Sequence, residues 1–265
     1  MRVKNSILTR LARIFHLLGW LYQTGKRLRS LDNATQEQRE RALSEMGADC
    51  LKVLNVRVDV NRSQPENAQQ RGLLVVANHV SWLDIFVISM LYPSSFIAMK
   101  EIRTWPVIGR MVSNAGAVYI DRSSRKDIDV INASISQVLE QNGNVCFFPE
   151  ARTTLGNGIL PLKAALFQAA LNSNAPVQPL ALRYYDEDVR TSAVSFAGVN
   201  LIRSLWQIVS IPHIKIKVDI GAHILPASLP EPDRFLMKDK VQEYLSPIVL
   251  SDSPAPELIL PENAA

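Results

Sequence analysis

Leu73-Leu74-Val75-Val76-Ala77, residues 73–77, decides the architecture, because the chain runs apolar for this stretch and then stops at Asn78-His79. A strand with one wet face alternates; an unbroken apolar run suits a strand covered on both faces. Other short apolar runs recur at residues 96–99, 117–120, 145–148 and 177–182, each beside a helical pattern. The clearest of those patterns covers residues 127–140, with Ile128, Ile131, Ile135, Val138 and Leu139 on one face and Ser124 and Asp127 at capping-box spacing. Two stretches alternate instead: Leu54, Val56, Val58 and Val60, then Ile214, Ile216, Val218 and Ile220. These read as strands with one solvated face. Strands interleaved with helices predict an α/β fold, a central mixed, mostly parallel sheet flanked by helices.

Composition agrees with a packed protein: of 265 residues, 47% are hydrophobic and 20% charged, which excludes a disordered chain. The two cysteines, Cys50 and Cys146, stand far apart with no Cys or His at ligand spacing, so neither a disulfide framework nor a zinc site is expected. The net charge of +4 is unevenly distributed. Residues 1–30 carry seven of the 29 basic side chains and no acid, leaving 22 basic against 25 acidic residues beyond them. The positive charge therefore belongs to the N-terminus.

That N-terminus reads as an amphipathic helix, with Ile7, Leu8, Leu11, Ile14, Phe15, Leu18, Leu21 and Tyr22 at steps of three and four. A spanning helix needs about 20 mostly apolar residues, and the charge-free run here, residues 14–25, includes His16, Gln23 and Thr24. No small-x-small cleavage site follows. Two readings remain: an interfacial helix whose cations meet anionic lipid, with Trp20 and Tyr22 at headgroup depth, or an ordinary helix packed on the domain. A second, polar helix is expected over residues 33–46, and the Pro- and acid-rich chain after Leu250 is expected to be a disordered tail.

In an open α/β sheet, ligands bind beyond the carboxyl ends of the strands. The polar residues there are Asn78-His79, Asp121-Arg122, and Pro149-Glu150-Ala151-Arg152-Thr153-Thr154. His79 and Asp84 are five apart, which on a continuous helix leaves them about 140° apart and on a strand puts them on opposite faces. They meet only if His79 lies on a turn and Asp84 reaches back from the first turn of a helix. Asp84 would then fix the tautomer of His79 and stabilise the imidazolium as it forms. Alternatively, Ser81 and Asp84 form a capping pair and His79 is a turn residue. Spacing alone leaves both open.

The sequence resembles the lysophospholipid acyltransferases, the glycerolipid enzymes that include 1-acylglycerol-3-phosphate acyltransferase. N-H-V-S-W-L-D at 78–84 is similar to their N-H-x-x-x-x-D block. Lys100-Glu101-Ile102, Trp105-Pro106-Val107-Ile108-Gly109 and the stretch from Gly116 to Asp121-Arg122 resemble the second block. F-F-P-E-A-R-T-T at 147–154 resembles the third, F-P-E-G-T-R-S, and Ala175-Pro176-Val177-Gln178-Pro179-Leu180 the fourth. The likeness covers residues 73 to about 183, with four blocks in order.

The resemblance implies an O-acyltransferase in which His79 is the general base and Asp84 orients it, while Lys100, Arg122, Glu150, Arg152 and Thr153 bind substrate. The acyl donor would be acyl-CoA or acyl carrier protein, the acceptor a lysophospholipid, first of all 1-acylglycerol-3-phosphate. No cofactor, metal or covalent acyl-enzyme is implied. Ser81 lacks the G-x-S-x-G surroundings of a nucleophile, and Cys146 sits in an apolar strand. The third block departs from the pattern: Ala151 replaces glycine, and Arg152 and Thr153 exchange the order of the threonine and arginine. This opens an alternative acceptor, such as a lyso-ornithine lipid. An inactive lipid-binding protein of the same fold is the alternative outside enzymes. The organisation expected is a membrane-contact segment over 1–48, an acyltransferase domain over 49–250 and a tail over 251–265. It places the protein on an anionic membrane surface, at the cytoplasmic face of the inner or plasma membrane, with no nucleic-acid partner.

Overall fold

The computed structural model describes residues 4–31, 33–63, 69–99, 104, 109, 110, 113, 118–120 and 128–254. Two helices open the chain, α1 (Ile7–Ser30) and α2 (Gln36–Val53). There follow β1 (Val56–Arg62), β2 (Leu74–Ala77), α3 (Leu83–Leu91), β3 (Ser94–Met99), β4 (Val118–Ile120), α4 (Ile128–Glu140) and β5 (Asn144–Phe147). The second half adds α5 (Gln168–Ser173), β6 (Val177–Asp186), β7 (Val189–Arg190), α6 (Leu201–Ser210), β8 (Ile214–Ile220) and α7 (Arg234–Leu250).

The sheet runs β1-β8-β6-β2-β5-β3-β4, with β7 on β6. β2 pairs in parallel with both β5 and β6, while β6 pairs antiparallel with β8 and β7. β6, β2, β5, β3 and β4 form a parallel block reaching one edge and β1 runs parallel to β8 at the other, so the sheet is mixed and mostly parallel, as the interleaved pattern predicts. β2 is buried throughout. Leu73, Val75 and Ala77 face a core shared with α1, α2, α3 and α6; Leu74 and Val76 face a second core with α4, α5 and α7. Period-two alternation within an all-apolar run thus distributes one strand between two hydrophobic layers.

α1 runs past the expected Tyr22 to Ser30, and α2 begins three residues after the expected Asn33 and continues to Val53. α2 starts where Thr35 and Gln38 form a reciprocal capping box. It outruns Met46 because Met46, Cys50 and Leu51 keep its buried face in the core. The division expected at 48/49 falls inside this helix, so a cut there would split a single core. β1 begins at Val56 rather than Leu54, since Leu54 caps α2 and Asn55 turns the chain at a φ of 56°. At the other end, Asp252 accepts from Tyr185 and Arg190, and Ser253 donates to Asn157 O, so the expected tail begins with bonded residues. Residues 255–265 lie outside the described residues, as do the expected capping pair Ser124 and Asp127 and the apolar stretch 105–108.

α1 has two apolar faces. Leu17, Trp20 and Leu28 are buried, and the Trp20 indole meets the Phe86 ring edge-on at 5.7 Å. The opposite stripe, Leu8, Leu11, Phe15, Leu18 and Tyr22, is exposed. The two readings of this helix describe its two sides: one face packs on the domain, and the other keeps an apolar row in solvent.

Candidate active site

β2 and β5 pair with Val76 opposite Phe147, and His79 and Glu150 each stand three residues beyond that pair. Parallel register brings them to one level past the same sheet edge. Asn78 ends the strand: Nδ2 donates to Leu182 O at 3.0 Å and Oδ1 accepts from Leu182 N at 2.7 Å. The side chain satisfies the groups a further ladder residue would have paired, and the main chain turns away at His79.

That turn carries His79 to Asp84. Nδ1 of His79 lies 2.8 Å from Asp84 Oδ2, with Asp84 fully buried and the imidazole 19% exposed. The same oxygen accepts the N–H groups of Val80 at 2.8 Å and Ser81 at 2.9 Å. Asp84 therefore holds the imidazole together with two main-chain N–H groups ahead of its own helix, whose N-cap, Trp82, makes no side-chain cap bond. The Tyr184 phenol donates to the other oxygen, Oδ1. Tyr184 is buried on β6, and burial together with the Asp84 charge pushes its phenol well above the usual range, keeping it a donor.

The imidazole plane is fixed as well. Phe148, the residue after β5, stacks on it with centroids 3.9 Å apart and planes 10° from parallel. The His79 backbone is held on both sides by the third block: its N–H donates to Glu150 Oε1 at 2.8 Å, and its carbonyl accepts from Thr154 N at 2.8 Å. Glu150 Oε2 accepts from Leu160 N at 2.9 Å. Both Glu150 oxygens are thus turned inward onto main chain, in a side chain that is 3% exposed. Burial pushes this carboxyl up to about 7, the two N–H donors work against the shift, and the Asp84 charge adds to it. Through these two backbone partners Glu150 braces the turn at His79.

Ala151 takes a φ of 61°, the left-handed region that glycine occupies without strain. The loop keeps a conformation suited to glycine despite the methyl group. Arg152 is exposed and Thr153 half-buried, between two residues that bond His79. Lys100 and Arg122 lie outside the described residues. Ser81 is buried, with Oγ accepting from Leu83 N, and the Cys146 thiol is pushed well up by burial and by Asp84 nearby. Neither is disposed as a nucleophile. Among the described residues no group of three or more His, Cys, Asp or Glu side chains is arranged to hold a metal ion.

Tyr184 escaped the reading of the sequence. It lies just beyond the resembling stretch, and its one signal, a phenol in a buried strand that needs a polar partner, does not say which partner. The braces from Phe148 and Thr154 escaped it too, although both stand in the quoted blocks.

A family model described as "Acyltransferase" matches residues 59–183. The chain is 48% identical over 251 residues to a 1-acyl-sn-glycerol-3-phosphate acyltransferase of Neisseria meningitidis serogroup B, spanning 94% of this chain and 97% of the relative. It is 35% identical to a lyso-ornithine lipid O-acyltransferase of Pseudomonas aeruginosa, over 131 residues that span 49% of this chain and 50% of that relative. Among solved structures, a 1-acyl-sn-glycerophosphate acyltransferase from Thermotoga maritima superposes with a TM-score of 0.71 at 20% identity, covering 94% of this chain and 96% of that one. At that identity the likeness is one of fold.

Proposed function

This chain belongs to the acyltransferase family and is an O-acyltransferase, and we propose that it moves a fatty acyl group from an acyl thioester to the free hydroxyl of 1-acylglycerol-3-phosphate. The observation that carries the chemistry is the contact between His79 Nδ1 and Asp84. With Nδ1 committed, Nε2 is the nitrogen that takes the proton from the acceptor hydroxyl. The resulting oxygen attacks the thioester carbonyl, the C–O bond forms, the C–S bond breaks, and the thiolate of coenzyme A or acyl carrier protein leaves. His79 then releases its proton to the thiolate or to solvent. The imidazolium is stabilised throughout by an Asp84 carboxylate that main-chain and phenol donors hold in place. In this reading Lys100, Arg122, Arg152 and Thr153 hold the substrates, and Glu150 positions the turn.

The choice of acceptor rests on likeness over nearly the whole chain to a 1-acyl-sn-glycerol-3-phosphate acyltransferase, against half the chain for the lyso-ornithine relatives. The altered third block was the ground for the lyso-ornithine alternative. Ala151 weakens that ground, because its backbone takes the shape glycine would have.

No helix among the described residues is long and apolar enough to cross a membrane. We infer that the protein works from the cytoplasmic face of the inner or plasma membrane, attached to an anionic surface by the exposed stripe of α1. Fewer cations than the seven counted in the sequence serve this purpose. Arg13 donates to Ile211 O and Pro212 O, and Arg27 pairs with Glu45.

The test uses purified protein with acyl-CoA or acyl carrier protein as donor and 1-acylglycerol-3-phosphate or lyso-ornithine lipid as acceptor, following free thiol and the acylated product. Thiol release with 1-acylglycerol-3-phosphate, lost in His79→Ala, is expected. Acylation of the ornithine lipid alone would overturn the assignment.

A further inference from the structure

α6 is capped by Asn200, whose Oδ1 accepts from Arg203 N at 2.9 Å. Its inner face, Ser204, Ile208 and Val209, is buried. Its outer face leaves Leu201, Ile202 and Trp206 in solvent, with Ile202 82% exposed. Ile202 and Trp206 are four apart and form a ridge on the helix. A short helix gains nothing from such a ridge unless something apolar covers it.

The ridge is continuous with α1. Asn5 donates to Ser210 O at 2.9 Å and to Val209 O at 2.8 Å, and Arg13 grips the carbonyls of Ile211 and Pro212 at 2.7 and 2.8 Å. Between the two helices the Arg10 guanidinium lies 5.2 Å from the centre of the Trp206 ring. Residues 4–30 and the whole of α6 contain no acid, while Lys4, Lys26, Arg29 and Arg203 are exposed. An apolar ridge with Trp and Arg at its edge, free of negative charge, complements an anionic lipid surface.

α6 also touches the catalytic turn. Trp82, two residues before Asp84, donates its indole N–H to Ser204 Oγ at 3.1 Å. In the segment leading to α6, Phe196 N donates to Val80 O at 2.9 Å and Ser195 Oγ to Thr154 O at 2.7 Å.

We propose that the outer face of α6, through Leu201, Ile202 and Trp206, is a second membrane-docking element that joins α1 in one surface and sets the His79 turn against an anionic bilayer. This rests on the membrane reading above and adds the orientation of the site to it. The acceptor then reaches His79 from the leaflet in which its chain lies.

The experiment compares full-length wild type, an α6 double variant (Ile202→Ser with Trp206→Ser) and an α1 double variant (Leu11→Ser with Phe15→Ser). Each is sedimented with vesicles of phosphatidylethanolamine and phosphatidylglycerol after its fold is checked by circular dichroism. Losing two apolar side chains from the docking face is expected to weaken partitioning about tenfold or more in both variants. Wild-type partitioning of the α6 variant beside loss in the α1 variant overturns the role of α6 and leaves the membrane reading standing. Undiminished binding by both removes that reading as well. Should the α6 variant not fold, bromine-labelled lipid decides: it should quench wild type more than Trp206→Phe, and equal quenching overturns the proposal. Sedimentation without lipid should give a monomer; a dimer that the α6 variant dissociates would make this face a contact between copies.

Discussion

The phenol of Tyr184 donates to Oδ1 of Asp84, the oxygen that His79 leaves free, from a position 100 residues further along the chain. The turn from His79 to Ser81 donates entirely to Oδ2, so the two oxygens are divided between local and distant partners. Tyr184 thereby satisfies the carboxylate oxygen that the turn does not use.

Tyr184→Phe keeps the ring and removes the donor. Oδ1 of a buried carboxylate then loses its donor, and kcat should fall about tenfold with the KM of either substrate unchanged. A side chain that only packs would lower Tm without changing the kcat of the folded protein, so melts and kinetics together distinguish the two roles.

His79→Ala and Asp84→Asn should part company on stability. Both should lower acyl transfer about a thousandfold or more, since in the proposed mechanism each disables the general base. The partly exposed His79 ring leaves mainly its stack on Phe148 behind. Asn at 84 must turn an amide nitrogen toward donors on one side or the other, costing about 2–4 kcal/mol. Thermal melts of the two variants beside wild type provide the check; equal Tm losses would mean that Asp84 does not hold the turn.

Glu150 links stability to pH. Burial raises its carboxyl to about 7 from an ordinary 4.5, so the native state binds the proton more tightly than the unfolded chain. The resulting stabilisation is complete below about 4.5 and is lost as pH rises through about 7. Glu150→Gln cannot titrate and loses one acceptor for the N–H groups of His79 and Leu160. Wild type should be the more stable protein at pH 5, with the Tm gap narrowing toward pH 8. A constant or widening gap would contradict this.

Ala151→Gly should stabilise the protein. A methyl group in the left-handed region costs about 1–2 kcal/mol, and part of the gain is returned because glycine frees the unfolded chain. A net rise of on the order of 0.5–1 kcal/mol is expected in denaturant unfolding. No gain would mean that the Ala151 methyl makes a contact worth as much as the strain.

Much of the site could be read from adjacent residues. The need for a turn at His79 and a helix start at Asp84 follows from a spacing of five, because no regular element brings that pair together. The inward role of Glu150 was not legible: a carboxylate beyond a strand end looks the same in one dimension whether it faces a ligand or two backbone N–H groups. The N-terminal helix was legible as apolar and basic. Which of its apolar residues face the core was not, because its periodicity serves two surfaces.

The layered α/β architecture and the buried status of β2 were readable from period and pattern, and the pair His79 and Asp84 from the resemblance of a short block of residues. Each of these depends on residues close in the chain, where period and spacing translate directly into faces and turns. The folded chain was needed to show that Tyr184 completes Asp84, that Phe148 stacks on the imidazole, and that α6 stands beside α1. These contacts depend on which strands are neighbours and in what register, and register is set by packing the whole sheet between its two helical layers.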